Sequence, residues 1–119
     1  MLMKEGDYAL LKPEKLKITL ENNVLSARII GDIDHHSAKG LREKIDDEIL
    51  KNKPFIVLLD MSKVDFMDSS GLGLILGRYT TATDIGAEFI LYKPSHTVKR
   101  MLELAGIERL MRIEGDTRE

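Results

Sequence analysis

Phe55-Ile56-Val57-Leu58-Leu59, running on toward Asp68-Ser69-Ser70-Gly71-Leu72-Gly73, is the stretch whose reading decides the fold. The apolar run, bounded by Pro54 and Asp60, reads as a buried central strand. Beyond the serines, Leu72, Ile75, Leu76 and Tyr79 recur at helical spacing, so a strand hands over to a helix near Ser69. A serine at such a junction can cap the orphan N–H groups of the first turn. The same helix end favours negative charge, so it would also tolerate a phosphoryl group. Residue chemistry alone leaves both roles open and ranks catalysis below them.

The rest of the chain alternates in the same way. Leu16 to Leu20 alternates at period two, Glu21-Asn22-Asn23 supplies a turn tolerant of positive φ, and Val24 to Ile30 returns as a hairpin arm ending at Gly31. Ala38, Leu41, Ile45 and Ile49 form one apolar stripe of a helix, with Lys39, Arg42, Glu43, Asp46 and Asp47 assigned to its solvent side. The spacing predicts a glycine-rich helix over 69–82 and a strand over 87–92, entered after Gly86 and closed by Lys93-Pro94. Ser95 caps a third helix carrying Val98, Met101, Leu102 and Ala105, which Gly106 stops. A short apolar-containing segment, 107–113, comes last.

Strands alternating with helices after a hairpin describe a single α/β domain with a mixed central sheet. Right-handed crossovers place its helices on one face. The loops around Asp34 and Ser69 are then expected along one edge, at the carboxyl ends of the strands. The expected organisation is an N-terminal extension over 1–14, a body over 15–114 and a frayed tail over 115–119. In the extension, Tyr8-Ala9-Leu10-Leu11 could form an edge strand stopped by Pro13.

At 119 residues the chain is the size of one ordinary domain and can bury a core without staples. It has no cysteine, which excludes disulfides and thiolate metal sites. A net charge of −2, with both signs interspersed, argues against a nucleic-acid partner. No apolar run approaches a membrane span and no signal-peptide layout opens the chain, so no membrane partner and a cytoplasmic location are expected. Few aromatics and no tryptophan leave no stacking platform.

Gly71, Gly73 and Gly77 fall inside the glycine-rich helix, where each costs about 1 kcal/mol against alanine. Gly73 and Gly77 share a face. Close packing within the domain and a groove for another chain are equally good reasons for them. They fit neither a G-x-G-x-x-G fingerprint nor a Walker A loop, so no nucleotide cofactor is expected. Gly31-Asp32-Ile33-Asp34-His35-His36 invites a metal reading, but adjacent histidines should point apart and no His-x-x-x-His spacing completes a site. A helix cap at Asp34 explains the motif better. Ser69 lies in no G-x-S-x-G elbow and no histidine is assigned as its base, so no catalytic residue is expected.

Gly31-Asp32-Ile33-Asp34-His35-His36-Ser37-Ala38 and Phe66-Met67-Asp68-Ser69-Ser70-Gly71-Leu72-Gly73 closely resemble the anti-sigma-factor antagonists of the STAS family. The likeness continues through Ile75-Leu76-Gly77-Arg78-Tyr79 and Val98-Lys99-Arg100, spans roughly Lys15 to Glu114, and is nearest to the sporulation branch acting on an anti-sigma-F factor. It implies a non-catalytic module that binds an anti-sigma factor and frees the sigma factor. That anti-sigma factor is itself a serine kinase, which would inactivate the module by phosphorylating Ser69; a serine phosphatase would reset it. Carried over residue by residue, Ser69 is the phosphoacceptor, Asp34 lies in the partner-facing loop and Asp68 beside the acceptor; with Ser70 and the glycine groove of Gly71, Gly73 and Gly77 they make up the expected partner face. Stress-response antagonists of the family work on another anti-sigma kinase and remain an alternative. An N-terminal extension longer than the family's and a shorter C-terminal tail are the two departures.

Overall fold

The computed structural model describes residues 15–115. The segment Tyr8 to Leu11 and the tail beyond Gly115 lie outside the described residues. In chain order the elements are β1 (Leu16–Glu21), β2 (Val24–Ile30), α1 (His35–Asn52), β3 (Ile56–Lys63), α2 (Ser69–Asp84), β4 (Glu88–Tyr92), α3 (His96–Ala105), a 3-10 turn (Glu108–Leu110) and β5 (Arg112–Glu114).

β1 and β2 form the expected antiparallel hairpin, with Leu16 opposite Ile29 and Glu21 opposite Val24. The turn places Asn22 and Asn23 at φ 53° and 63°, the left-handed region that asparagine tolerates and a two-residue hairpin turn requires. β2, β3, β4 and β5 are all parallel, in the order β1-β2-β3-β4-β5. Period-two alternation turns Leu25, Ala27 and Ile29 of β2, Val57, Leu59 and Met61 of β3, and Phe89 and Leu91 of β4 into one core. The helices complete it from that face with Leu41, Ile45 and Ile49, then Leu74, Ile75 and Ala82, then Val98 and Leu102.

Three features differ from the sequence expectation. β3 runs three residues past Asp60, because Met61 continues the inward alternation. The segment after Gly106 makes a 3-10 turn and then a fifth strand, β5, too short for periodicity to reveal. Asp46, assigned to solvent, instead faces α2, where its Oδ1 lies 2.8 Å from Nε of Arg78. Arg78 is only 3% exposed. Neither Arg78 Nε nor Nη1 directs a proton at a well-placed acceptor, so charge rather than a directed hydrogen bond joins the pair.

The junction of β2 and β3 positions the functional loops. The register slips between Arg28, opposite Asp60, and Ile30, opposite Lys63, so β3 carries one extra residue. Asp60 accommodates this bulge by accepting the Ser62 N–H at 2.9 Å, and it pairs with Arg28 Nε at 3.0 Å. A bulge bends its strand and re-aims the residues beyond it. Here it steers the chain from β3 alongside the chain leaving β2.

Candidate partner-docking site

Pairing between these two segments continues beyond the strands. The Gly31 N–H donates to Lys63 O at 3.0 Å, the Ile33 N–H to Phe66 O at 3.1 Å, and the Asp68 N–H to Ile33 O at 3.0 Å. Ile33 and Met67 thus form a parallel bridge, and both side chains are fully buried. This tie brings the starts of α1 and α2 together, as expected from the crossovers.

Each start is capped by an aspartate. Asp34 Oδ1 accepts the N–H groups of His36 at 2.9 Å and Ser37 at 3.0 Å, and Ser37 Oγ accepts the Asp34 N–H at 3.2 Å, closing a reciprocal capping box. The Ser37 N–H above all holds the Asp34 carboxyl below its ordinary value; desolvation opposes it, and the His36 N–H adds to the lowering. Asp68 Oδ1 accepts the Ser70 N–H at 2.8 Å and also the Ser70 hydroxyl. Those two bonds hold Asp68 below its ordinary value, and the His35 N–H at the start of α1 adds to the effect.

The two serines are consequently unequal. Ser70 is half-buried with its hydroxyl committed to Asp68. Ser69, the first helical residue, is exposed, and among the described residues its hydroxyl has no hydrogen-bond partner. The cap that the sequence could assign to serine belongs to Asp68.

The glycines divide as well. A Cβ on Gly71 would lie 2.8 Å from both Cβ and Cγ of Met67, and nearer still to its sulfur. Gly71 is buried and answers to packing. Nothing lies within 4 Å of a Cβ added at Gly73 or Gly77. Their bare backbone is open, which is what a groove for another chain would need.

The imidazoles of His35 and His36 do not point apart. Their ring centroids lie 3.9 Å from each other, because the first turn of a helix offsets neighbours by about 100° and not by a strand's 180°. Among the described residues, no group of three or more His, Asp or Glu is arranged to hold a metal ion. No helix among them is long and apolar enough to cross a membrane.

Residues 15–119 match the STAS domain family. The chain belongs to that family. This STAS domain is 35% identical over 100 residues to the anti-sigma F factor antagonist of Paenibacillus polymyxa, covering 82% of this chain and 86% of the relative. The anti-sigma factor antagonist SpoIIAA in its unphosphorylated form shares the fold at a TM-score of 0.68 and 25% identity, covering 86% of this chain and 89% of that one. The Bacillus cell fate determinant SpoIIAA in its phosphorylated form matches at 0.67 and 26%, covering 85% and 92%. The relatives are regulators by name, and the fold of this STAS domain is that of proteins known with and without a phosphoryl group.

Sequence reasoning missed the Asp46–Arg78 pair, the capture of the Ser70 hydroxyl by Asp68 and the exposure of Phe66. Only the first left a trace, since Asp46 and Arg78 lie on helix faces that could have been paired once α1 and α2 were taken as neighbours.

Proposed function

We propose that this STAS domain is a sporulation-type anti-sigma-factor antagonist. Unphosphorylated, it binds an anti-sigma factor that is also a serine kinase and so releases the sigma factor. Phosphorylation of Ser69 ends the association, and a serine phosphatase restores it.

The observation that carries the reading is the inequality of the serines: one exposed, uncommitted hydroxyl beside one tied to a carboxylate. In the transfer, Ser69 Oγ attacks the γ-phosphorus of the kinase's nucleoside triphosphate. The new O–P bond replaces the bond to the bridging oxygen, the nucleoside diphosphate departs, and the serine proton passes to a base on the kinase. The product remains foldable because a helix N-terminus accommodates an anion. Within the complex, the same dianion sits beside Asp68 and Asp34 and is cut off from water. A desolvated phosphate without a cationic partner can lower affinity by 10²–10⁴-fold, about 3–5.5 kcal/mol, which an exposed charge screened by salt cannot. Asp34 meets a basic side chain of the kinase, its Oδ1 held by the cap. Gly73 and Gly77 provide the groove beside it, and Gly71 supports that face from beneath.

Incubation with the cognate anti-sigma kinase and ATP, followed by mass spectrometry, tests this. One phosphoryl group on Ser69, absent from Ser69→Ala and unchanged in Ser70→Ala, is the expected result. No modification, with the kinase active on a control substrate, would leave a constitutive scaffold.

A further inference from the structure

We propose that Phe66 is the apolar anchor of this interface: its ring enters an apolar recess of the anti-sigma kinase, and so sets the register in which Ser69 is offered. The inference rests on the proposed function and names a residue which that reading leaves without a role.

The chain has only three phenylalanines, and Phe66 leaves 55% of its surface in water. Packing does not require it there. Its neighbours Val64 and Met67 fill the core and are fully buried, while the Phe66 carbonyl is fixed by the Ile33 N–H at 3.1 Å. The ring thus stands on a backbone pinned at both sides, three residues before Ser69. A rigid aromatic of this kind loses little freedom when it is buried. Asp65 and Asp68 flank it along the chain, and Asp34 follows Ile33 on the other side of the Ile33–Met67 bridge. An aromatic centre within a charged rim is the anatomy of an interface hot spot. Its place three residues before Ser69, on the segment pinned to Ile33, makes the ring continuous with the surface that the kinase must meet to reach that hydroxyl. The other exposed phenylalanine, Phe55, is 71% exposed but precedes β3, at the opposite end of the sheet. It makes a matched control.

The test is the affinity of wild type, Phe66→Ala, Phe66→Leu and Phe55→Ala for the nucleotide-loaded anti-sigma kinase by calorimetry, with urea stability measured in parallel. Phe66→Ala should bind at least tenfold more weakly with unchanged stability, Phe66→Leu should recover most of that loss, and Phe55→Ala should match wild type. Binding of Phe66→Ala within twofold of wild type, while wild type binds and is phosphorylated on Ser69, would overturn the anchor and leave the function standing. A Phe66→Ala protein that failed to fold would reveal a packing role and overturn it too. Self-association of the free protein abolished by Phe66→Ala would put a second copy on the ring, against the assignment. Wild type that neither binds nor is phosphorylated would remove the functional reading and the anchor with it.

Discussion

The three glycines of α2 should respond to the same substitution in opposite directions. Gly73 and Gly77 sit in the helix interior with open space around an added Cβ, and neither has a positive φ. Alanine there removes the backbone entropy cost of glycine without meeting anything, a gain of about 1 kcal/mol at each site. For a domain of this size that corresponds to a rise in Tm of roughly 4 °C per substitution. At Gly71 the same gain opposes a collision with Met67, whose Cβ and Cγ would lie 2.8 Å from the new methyl. Met67 is fully buried and cannot swing into water. Overpacking of this kind costs about 1–3 kcal/mol, so Gly71→Ala should be neutral to about 2 kcal/mol less stable. Urea titration followed by circular dichroism, at constant m-value, ranks the variants. If Gly73→Ala proved less stable than wild type, or Gly71→Ala gained as much as Gly73→Ala, the reasoning from local space would be wrong. The docking proposal adds a second readout: Gly73→Ala with Gly77→Ala should tighten the fold yet weaken kinase binding.

Asp46→Ala strands the buried Arg78 guanidinium and should cost about 3 kcal/mol in urea unfolding, whereas Asp46→Leu with Arg78→Met should recover most of it, because two apolar groups leave no charge uncompensated. Asp60 should shape acid stability. Burial opposes its ionisation, but Ser62 and then Arg28 outweigh burial and hold the carboxyl below its ordinary value. Its folded-state advantage is therefore complete above about pH 5 and is lost as pH falls through about 4 and below, so Asp60→Asn should flatten the stability curve in that window and not above it. Ser69→Asp should only partly reproduce the phosphoprotein's loss of affinity, since one carboxylate has less charge and fewer acceptor oxygens; equal affinities by calorimetry would count against a charge-based switch. Asp34→Asn keeps the helix cap but not the charge, so it should leave the urea midpoint essentially unchanged and still weaken kinase binding; intact affinity would remove Asp34 from the interface.

Repetition is the part of this fold that could be read from the sequence. The hairpin followed from two asparagines between alternating runs, the core faces of α1 and α3 from apolar spacing, and their ends from Asp34, Ser95 and Gly106. β5 could not be read, because three residues contain no period. The bulge in β3 was also hidden: it shows only when Arg28 and Ile30 are matched against Asp60 and Lys63, which requires the partner strand. At the site, residue chemistry found Asp34, Asp68, Ser69 and Ser70 but could not rank the serines. The ranking depends on which hydroxyl Asp68 captures, a matter of rotamer and distance. The glycines behaved likewise. Their spacing announced a reason for being glycine, while Met67 alone distinguishes Gly71 from Gly73 and Gly77. His35 and His36 were expected to point apart, yet the first turn of α1 brings their rings together.

The order of the sheet repeats the order of the chain, and this bears on how the molecule assembles. Among the described residues every strand after β1 pairs with the one made just before it, and no pairing there waits for a more distant segment. Loop closure then costs only what a single crossover spans, less than an interleaved strand order would require. During synthesis, the β1–β2 hairpin can accept β3 as soon as α1 has emerged, and each later helix–strand unit adds to an edge already in place. The loop bearing Ser69 is fixed to Ile33 at that first step, so the surface offered to a partner takes shape before β5 has been made.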